Sequence, residues 1–117
     1  MAYDDKLAER VRTILAVRPG VSEKHLMGTL AFMVNGTMCC SVGQDGLLVR
    51  VDARERDQLL GKPFVSPMKL GARTMKGFVR VSSEGLRTRA NVAKWLERGI
   101  ASAAARRKKA TARQRKA

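Results

Sequence analysis

The chain predicts an α+β fold, with a single antiparallel sheet packed by helices in the order helix, three-strand meander, helix, two strands, helix. Three observations carry this. Two turn signals, Asn35-Gly36 and Gly43-Gln44-Asp45-Gly46, divide the stretch from Leu30 to Asp52 into three short apolar runs. Apolar residues recur at helical spacing near both ends of the chain. Between them, Pro63 and Pro67 interrupt a further extended stretch, and no internal repeat is present. At 117 residues and 44% hydrophobic content the chain fits one domain with a real core. Aromatic residues make up only 4%, so that core has to rest on aliphatic side chains and methionine.

The first helix is predicted from Asp4 to about Val17. Leu7, Val11, Ile14 and Leu15 form one stripe, Asp4 and Asp5 stand where a helix N-terminus favours negative charge, and Pro19-Gly20 ends it. A short strand-like entry, Glu23–Met27, precedes Gly28. Asn-Gly between Leu30–Val34 and Thr37–Val42 predicts a two-residue hairpin, because both central positions need positive φ. That loop sets Val34 opposite Thr37, Met33 opposite Met38 and Ala31 opposite Cys40. The next turn sets Val42 opposite Leu47, Cys40 opposite Val49 and Met38 opposite Val51. One face then collects Ala31, Met33, Met38, Cys40, Val42, Leu47, Val49 and Val51, all apolar, and is the expected core face. The other carries Leu30, Phe32, Val34, Thr37, Cys39, Ser41, Leu48 and Arg50, a mixed surface that is wet in part or covered by another element or subunit.

Asp52 and Glu55 predict a capped second helix with Leu59 and Leu60 buried and Gly61 as its stop. Phe64–Leu70, holding Pro67, reads as an irregular or edge strand, since proline lacks the ladder donor. After a Gly71-Ala72-Arg73 turn, Met75–Val81 reads as a strand with Val79 and Val81 on one face. The last helix opens near Thr88 and buries Val92, Trp95, Leu96, Gly99, Ile100 and Ala103. Residues 1–105 form the predicted domain.

Net charge is +14, unevenly placed. Arg106, Arg107, Lys108, Lys109, Arg113, Arg115 and Lys116 lie in a closing stretch without an acid, leaving +7 for the body. This segment, 106–117, is expected to be a basic, disordered, solvated tail, although its Ala, Arg and Lys favour a continuation of the last helix that like-charge repulsion opposes. Its functional reading is sequence-independent binding of DNA or RNA by phosphate neutralisation, as it has no aromatic to stack on bases. It also has no apolar anchor for a membrane. The opening MAYDDKLAER is acidic rather than leader-like, and no run approaches the ~18 apolar residues that cross a bilayer, so a cytoplasmic protein is expected.

No catalytic, cofactor or metal constellation stands out. Cys39 and Cys40 are adjacent, and in a regular strand they face opposite sides and cannot pair. Two cysteines with the one histidine, His25, make no recognised metal spacing. A thiol-reactive pair is set against a buried Cys40 beside Met38 and Val42 with Cys39 half exposed. His25 lacks a nearby serine–carboxylate partner in sequence and reads as a turn-side polar residue. No phosphate-binding glycine loop is present. A non-enzymatic protein is therefore expected. The alternative to nucleic-acid binding is a protein-interaction module, for instance a homodimer, using Phe32, Val34, Leu48 and Arg50 on the second sheet face.

Several landmarks carry a resemblance. Leu30-Ala31-Phe32 leads to Asn35-Gly36, Met38-Cys39-Cys40 follows, and Pro67-Met68, Met75-Lys76-Gly77-Phe78 and a closing helix with Trp95-Leu96 come after. In this order they resemble the TfoX N-terminal domain family, which includes the TfoX/Sxy regulators of competence genes, over about residues 1–105. The resemblance implies an α+β fold and a role near competence or gene regulation, and it brings no catalytic residues. One departure stands out: where the family usually has Met-Phe-Gly-Gly, this chain has Leu26-Met27-Gly28-Thr29 and keeps one glycine. The separate C-terminal domain of longer members has no counterpart here.

Overall fold

A computed structural model describes residues 3–26, 28–70 and 72–116, with side chains described up to residue 106 apart from Leu70. Three helices, α1 (Asp5–Leu15), α2 (Arg56–Leu60) and α3 (Arg89–Lys116), accompany six strands: β1 (Val21–Leu26), β2 (Thr29–Val34), β3 (Thr37–Val42), β4 (Gly46–Arg50), β5 (Val65–Leu70) and β6 (Arg73–Ser82). The strands form one antiparallel sheet in the order β1-β2-β3-β4-β6-β5. The predicted α+β class and element order hold. The strand-like entry is a full edge strand, β1, and the proline-bearing β5 is the opposite edge, where a missing ladder donor costs nothing. Met27 and Gly71, at the ends of predicted elements, lie outside the described residues.

Local chemistry sets the helix ends. Asp4 caps α1, its carboxylate accepting from the backbone amides of Lys6 (3.0 Å) and Leu7 (3.1 Å). The Thr88 hydroxyl accepts from the Asn91 amide at 3.1 Å at the start of α3. The second helix starts later than predicted. Asp52 Oδ1 accepts from the Arg54 amide at 2.9 Å, and the Asp52 carbonyl from the Glu55 amide, which makes a turn. The capping-box geometry is thus not formed, and α2 begins only at Arg56. Asn35 (φ 51) and Gly36 (φ 84) form the expected left-handed pair between β2 and β3.

The register differs from the sequence reading at one point, with consequences across the sheet. Phe32 pairs with Cys40 but Met33 pairs with Met38, so β3 carries one residue more than β2 here, Cys39, in a β-bulge. Val34–Thr37, Met33–Met38, Cys40–Val49 and Val42–Leu47 pair as predicted, while Ala31 faces Ser41 instead of Cys40. Leu30 and Phe32 therefore join Cys40, Val42, Leu47 and Val49 on the face beneath α1 and α3, each at most 2% exposed. Ala31, Met33 and Met38, expected in that core, fall on the other face. The run Leu-Ala-Phe-Met-Val is apolar at every position, so alternation could not choose between faces. Volume did, sending the two largest side chains under the helices.

The sheet row Phe32–Cys40–Val49–Val79 and the row Leu30–Val42–Leu47–Val81 meet Leu7, Val11 and Leu15 of α1 and Val92, Trp95, Leu96 and Ala103 of α3. Ion pairs tie the helices down at the periphery. Arg12 pairs with Glu23 of β1 (2.7 Å), and Arg18 with Glu97 of α3 (2.5 Å). The Arg12 hydrogen bond holds the Glu23 carboxyl below its usual range.

Gly99 is the closest approach of α3 to the sheet. A Cβ built there would lie 2.6 Å from the Cys39 carbonyl oxygen and 3.5 Å from Val49 Cγ1. Gly99→Ala should therefore destabilise the fold by roughly 1–3 kcal/mol, as overpacking does. This holds despite a helix-propensity gain of about 1 kcal/mol for alanine. Urea unfolding measures the balance, and a more stable variant would show that α3 can lift off the bulge without loss.

Candidate nucleic-acid interface

The path of α3 decides what the basic segment can do. The 3-10 turn Ser83–Leu86 follows β6, with the Ser83 amide donating to the Asp45 carbonyl, so α3 starts at the end of the sheet that holds Gly43 and Gly46. It crosses β3 and β4 at Gly99, buries Ala103, and leaves the sheet at the end that holds Met38 and Arg50. Arg106 is exposed there, close enough for its charge to act on Arg50. The helix continues to Lys116, through the segment expected from the sequence to be a disordered tail. The side chains of Arg107, Lys108, Lys109, Arg113, Arg115 and Lys116 lie outside the described residues.

Arg50 sits in the next layer. Its Nε donates to the Met38 carbonyl at 2.6 Å, and its guanidinium lies 4.6 Å from the centre of the Phe78 ring. Partial burial, and then the Arg106 charge, lower its pKa. An arginine already held by a carbonyl and a ring is a fixed positive charge at the base of the projecting helix.

The four residues expected to share an interaction face do not. Phe32 is fully buried under the helices and Val34 packs against the same core, because both sit on the α1/α3 side of β2. Leu48 and Arg50 remain on the open face. A cleft of about 510 Å³ lies there, with Met38, Leu48 and Met68 as its apolar part and Ser41 and Arg80 as polar neighbours. Leu26 of β1 and Ser66 of β5 both line it, so the two edge strands curl toward the same space.

Cys39 and Cys40 are both completely buried, and the half-exposed position expected for Cys39 is not what the bulge produces. The Cys40 thiol hydrogen-bonds to Cys39, which lowers the pKa of Cys39 and, with burial, pushes that of Cys40 well up. Arg50 and Arg18 add smaller favourable charge at Cys39. His25 is exposed on β1 beside Tyr3, ring centres 6.0 Å apart. Among the described residues no group of histidine, cysteine and acidic side chains could hold a metal, and no helix is long and apolar enough to cross a membrane. Neither thiol should react with Ellman's reagent at pH 7 until the fold opens, and both should react at once in urea. Native-state labelling at the rate of a free thiol would contradict the burial.

The model of the TfoX N-terminal domain matches residues 13–103. Comparison with curated proteins and with solved structures finds no match. The matched span runs from the last turn of α1 to Ala103 of α3 and takes in the whole sheet, the cysteine bulge and the Gly99 contact. The basic end of α3 lies beyond it. The body of this chain therefore belongs to the TfoX N-terminal domain family.

Proposed function

We propose that this chain is a non-enzymatic regulatory or accessory protein of TfoX type that binds nucleic acid, without reading base sequence, through the basic end of α3. The family supports the regulatory part. One observation carries the nucleic-acid part: beyond Ala103 the helix leaves the hydrophobic body, and from Arg106 onward it holds seven basic residues and no acid. A helical segment whose sequence holds seven bases and no acid of its own is suited to a polyanion. With no aromatic or amide pattern to address base edges, the contacts are to phosphate, which positions a protein without specifying sequence.

If all seven charges contact phosphates, affinity for duplex DNA falls with salt with a log–log slope of up to about −6, at −0.9 per phosphate. Deleting residues 106–117 should weaken binding sharply at low salt and flatten that slope. Unchanged affinity in a fluorescence-anisotropy titration would remove this segment from the function. The cleft beside Leu48 supports a second reading, a protein-interaction module that retains Leu48 and Arg50 of the four residues first considered. On that reading, Leu48→Asp should abolish any self-association seen by light scattering. A parent that is monomeric at all concentrations removes the homodimer.

A further inference from the structure

Resting on that reading, the charge of the molecule points to a second contact. Residues 58–83 contain Lys62, Lys69, Arg73, Lys76 and Arg80 and no acid. With the seven bases after Ala105, this segment accounts for nearly all of the +14, leaving the rest of the chain at +2. The chain before residue 58 is balanced, and the segment between the two stretches, 84–105, carries the remaining +2, with Arg87, Arg89, Lys94 and Arg98 against Glu84 and Glu97. The excess is thus confined to two stretches, far apart in sequence.

The topology brings them to one end. Arg50 of β4 pairs with Phe78 of β6, and Gly46 with Ser82, so the first half of β6 runs past the end of β4. The five residues from Arg73 to Gly77 extend about 16 Å in strand geometry. Arg73, Thr74 and Met75 pair with β5, through Met75–Met68, Thr74–Lys69 and Arg73–Leu70, and the Gly77 carbonyl accepts from the Val51 amide just past β4. Lys69, Arg73 and Lys76 are all exposed. The end they project from is the one that holds Arg50, where α3 departs with Arg106. Past Arg106 the helix has ten further residues to Lys116, about 15 Å at 1.5 Å per residue. Two cationic projections of similar reach therefore leave the same end of the sheet, one a hairpin and one a helix, with Arg50 at their base. By contrast Asp4, Asp45 and Glu84 gather at the opposite end, where the Asp4 amide donates to the Gly43 carbonyl and the Ser83 amide to the Asp45 carbonyl.

We infer that the β5–β6 hairpin, through Lys69, Arg73 and Lys76, is a second phosphate-binding arm, and that it and the end of α3 engage one nucleic-acid duplex together. A duplex presents a negative charge about every 1.7 Å along its axis, so two arms separated in space can each find phosphates of the same molecule. β5 is an edge strand and the β6 tip is exposed, so neutralising these side chains removes charge without removing core.

The test compares four full-length proteins on a 30-base-pair duplex by anisotropy across salt. The parent is set against a hairpin variant, Lys69→Gln/Arg73→Gln/Lys76→Gln, and against an equal-charge control at the other end, Lys6→Gln/Arg87→Gln/Arg89→Gln. The fourth, Lys69→Arg/Lys76→Arg, keeps the hairpin charge, and circular dichroism and thermal unfolding confirm that all are folded. The hairpin variant should bind at least about tenfold more weakly at low salt with a slope shallower by about 3, near one per lost phosphate contact. The control and the charge-keeping variant should stay near the parent. Equal losses in hairpin variant and control would reduce the effect to net charge and overturn the inference. A hairpin variant that matches the parent, while removal of residues 106–117 weakens binding, would overturn the second arm and leave the α3 reading standing. A parent that binds no duplex at low salt would overturn both.

Discussion

The contact between Gly99 and the carbonyl of Cys39 is the constraint on which the rest of the structure depends. Helices usually stand off a sheet by the length of their side chains. Here a position without a Cβ lets the axis of α3 drop toward the bulge, so Val92, Trp95 and Leu96 on one side and Ala103 on the other reach the sheet together. The bulge and the glycine are complementary. An extra residue in β3 displaces the Cys39 carbonyl, and only a glycine above it leaves room. Because the helix is seated at that point, its direction is set. Where it leaves the sheet, and with which residue, follows from there.

The same bulge explains the chemistry of the cysteines. In a regular strand the two side chains diverge, and an extra residue brings the second thiol within hydrogen-bonding reach of the first. The pair then fills a buried volume between helix and sheet, with Cys40 as donor and Cys39 as acceptor. Burial denies oxidants access to both sulfurs, so the bulge reads as a packing device, one that presents small polarizable atoms where a helix comes close.

Much of this was legible in the sequence, and what was not has physical reasons. The Asn35-Gly36 turn, the acidic start of α1, the cap at Thr88 and the stripe from Val92 to Ala103 are local, set by φ preferences, charge and spacing, and they stand as predicted. The face of β2 was not legible, because five consecutive apolar residues carry no alternation and the bulge that decides the register leaves no composition signal. Phe32 and Val34 were assigned to the wrong face on that account, while Leu48 and Arg50, past the bulge on β4, were assigned correctly. The cluster of charge at one end was invisible for a different reason. Lys69, Arg73 and Lys76 stand some thirty residues from Arg106, and only the offset between β4 and β6 brings them to the same end.

On the proposed reading, the basic end of α3 is also where folding and binding act on each other. Alanine, arginine and lysine are strong helix formers, and cations near a helix C-terminus are favoured by its dipole. Against this, pairs such as Arg106 with Lys109, Lys109 with Arg113 and Arg113 with Lys116 stand three or four residues apart. At that spacing like charges repel by a few tenths of a kcal/mol each. Propensity and the helix dipole favour the helix here against that repulsion. A polyanion laid along it removes the repulsion that opposes helix formation, and its counterions return to solvent. On that reading, binding and helical order strengthen together, while added salt weakens the phosphate contacts and screens the repulsion within the free segment. An acid placed at Lys109 or Arg113 would order the free helix and weaken its grip on phosphate, because the repulsion that strains the free segment is the charge that attracts the partner.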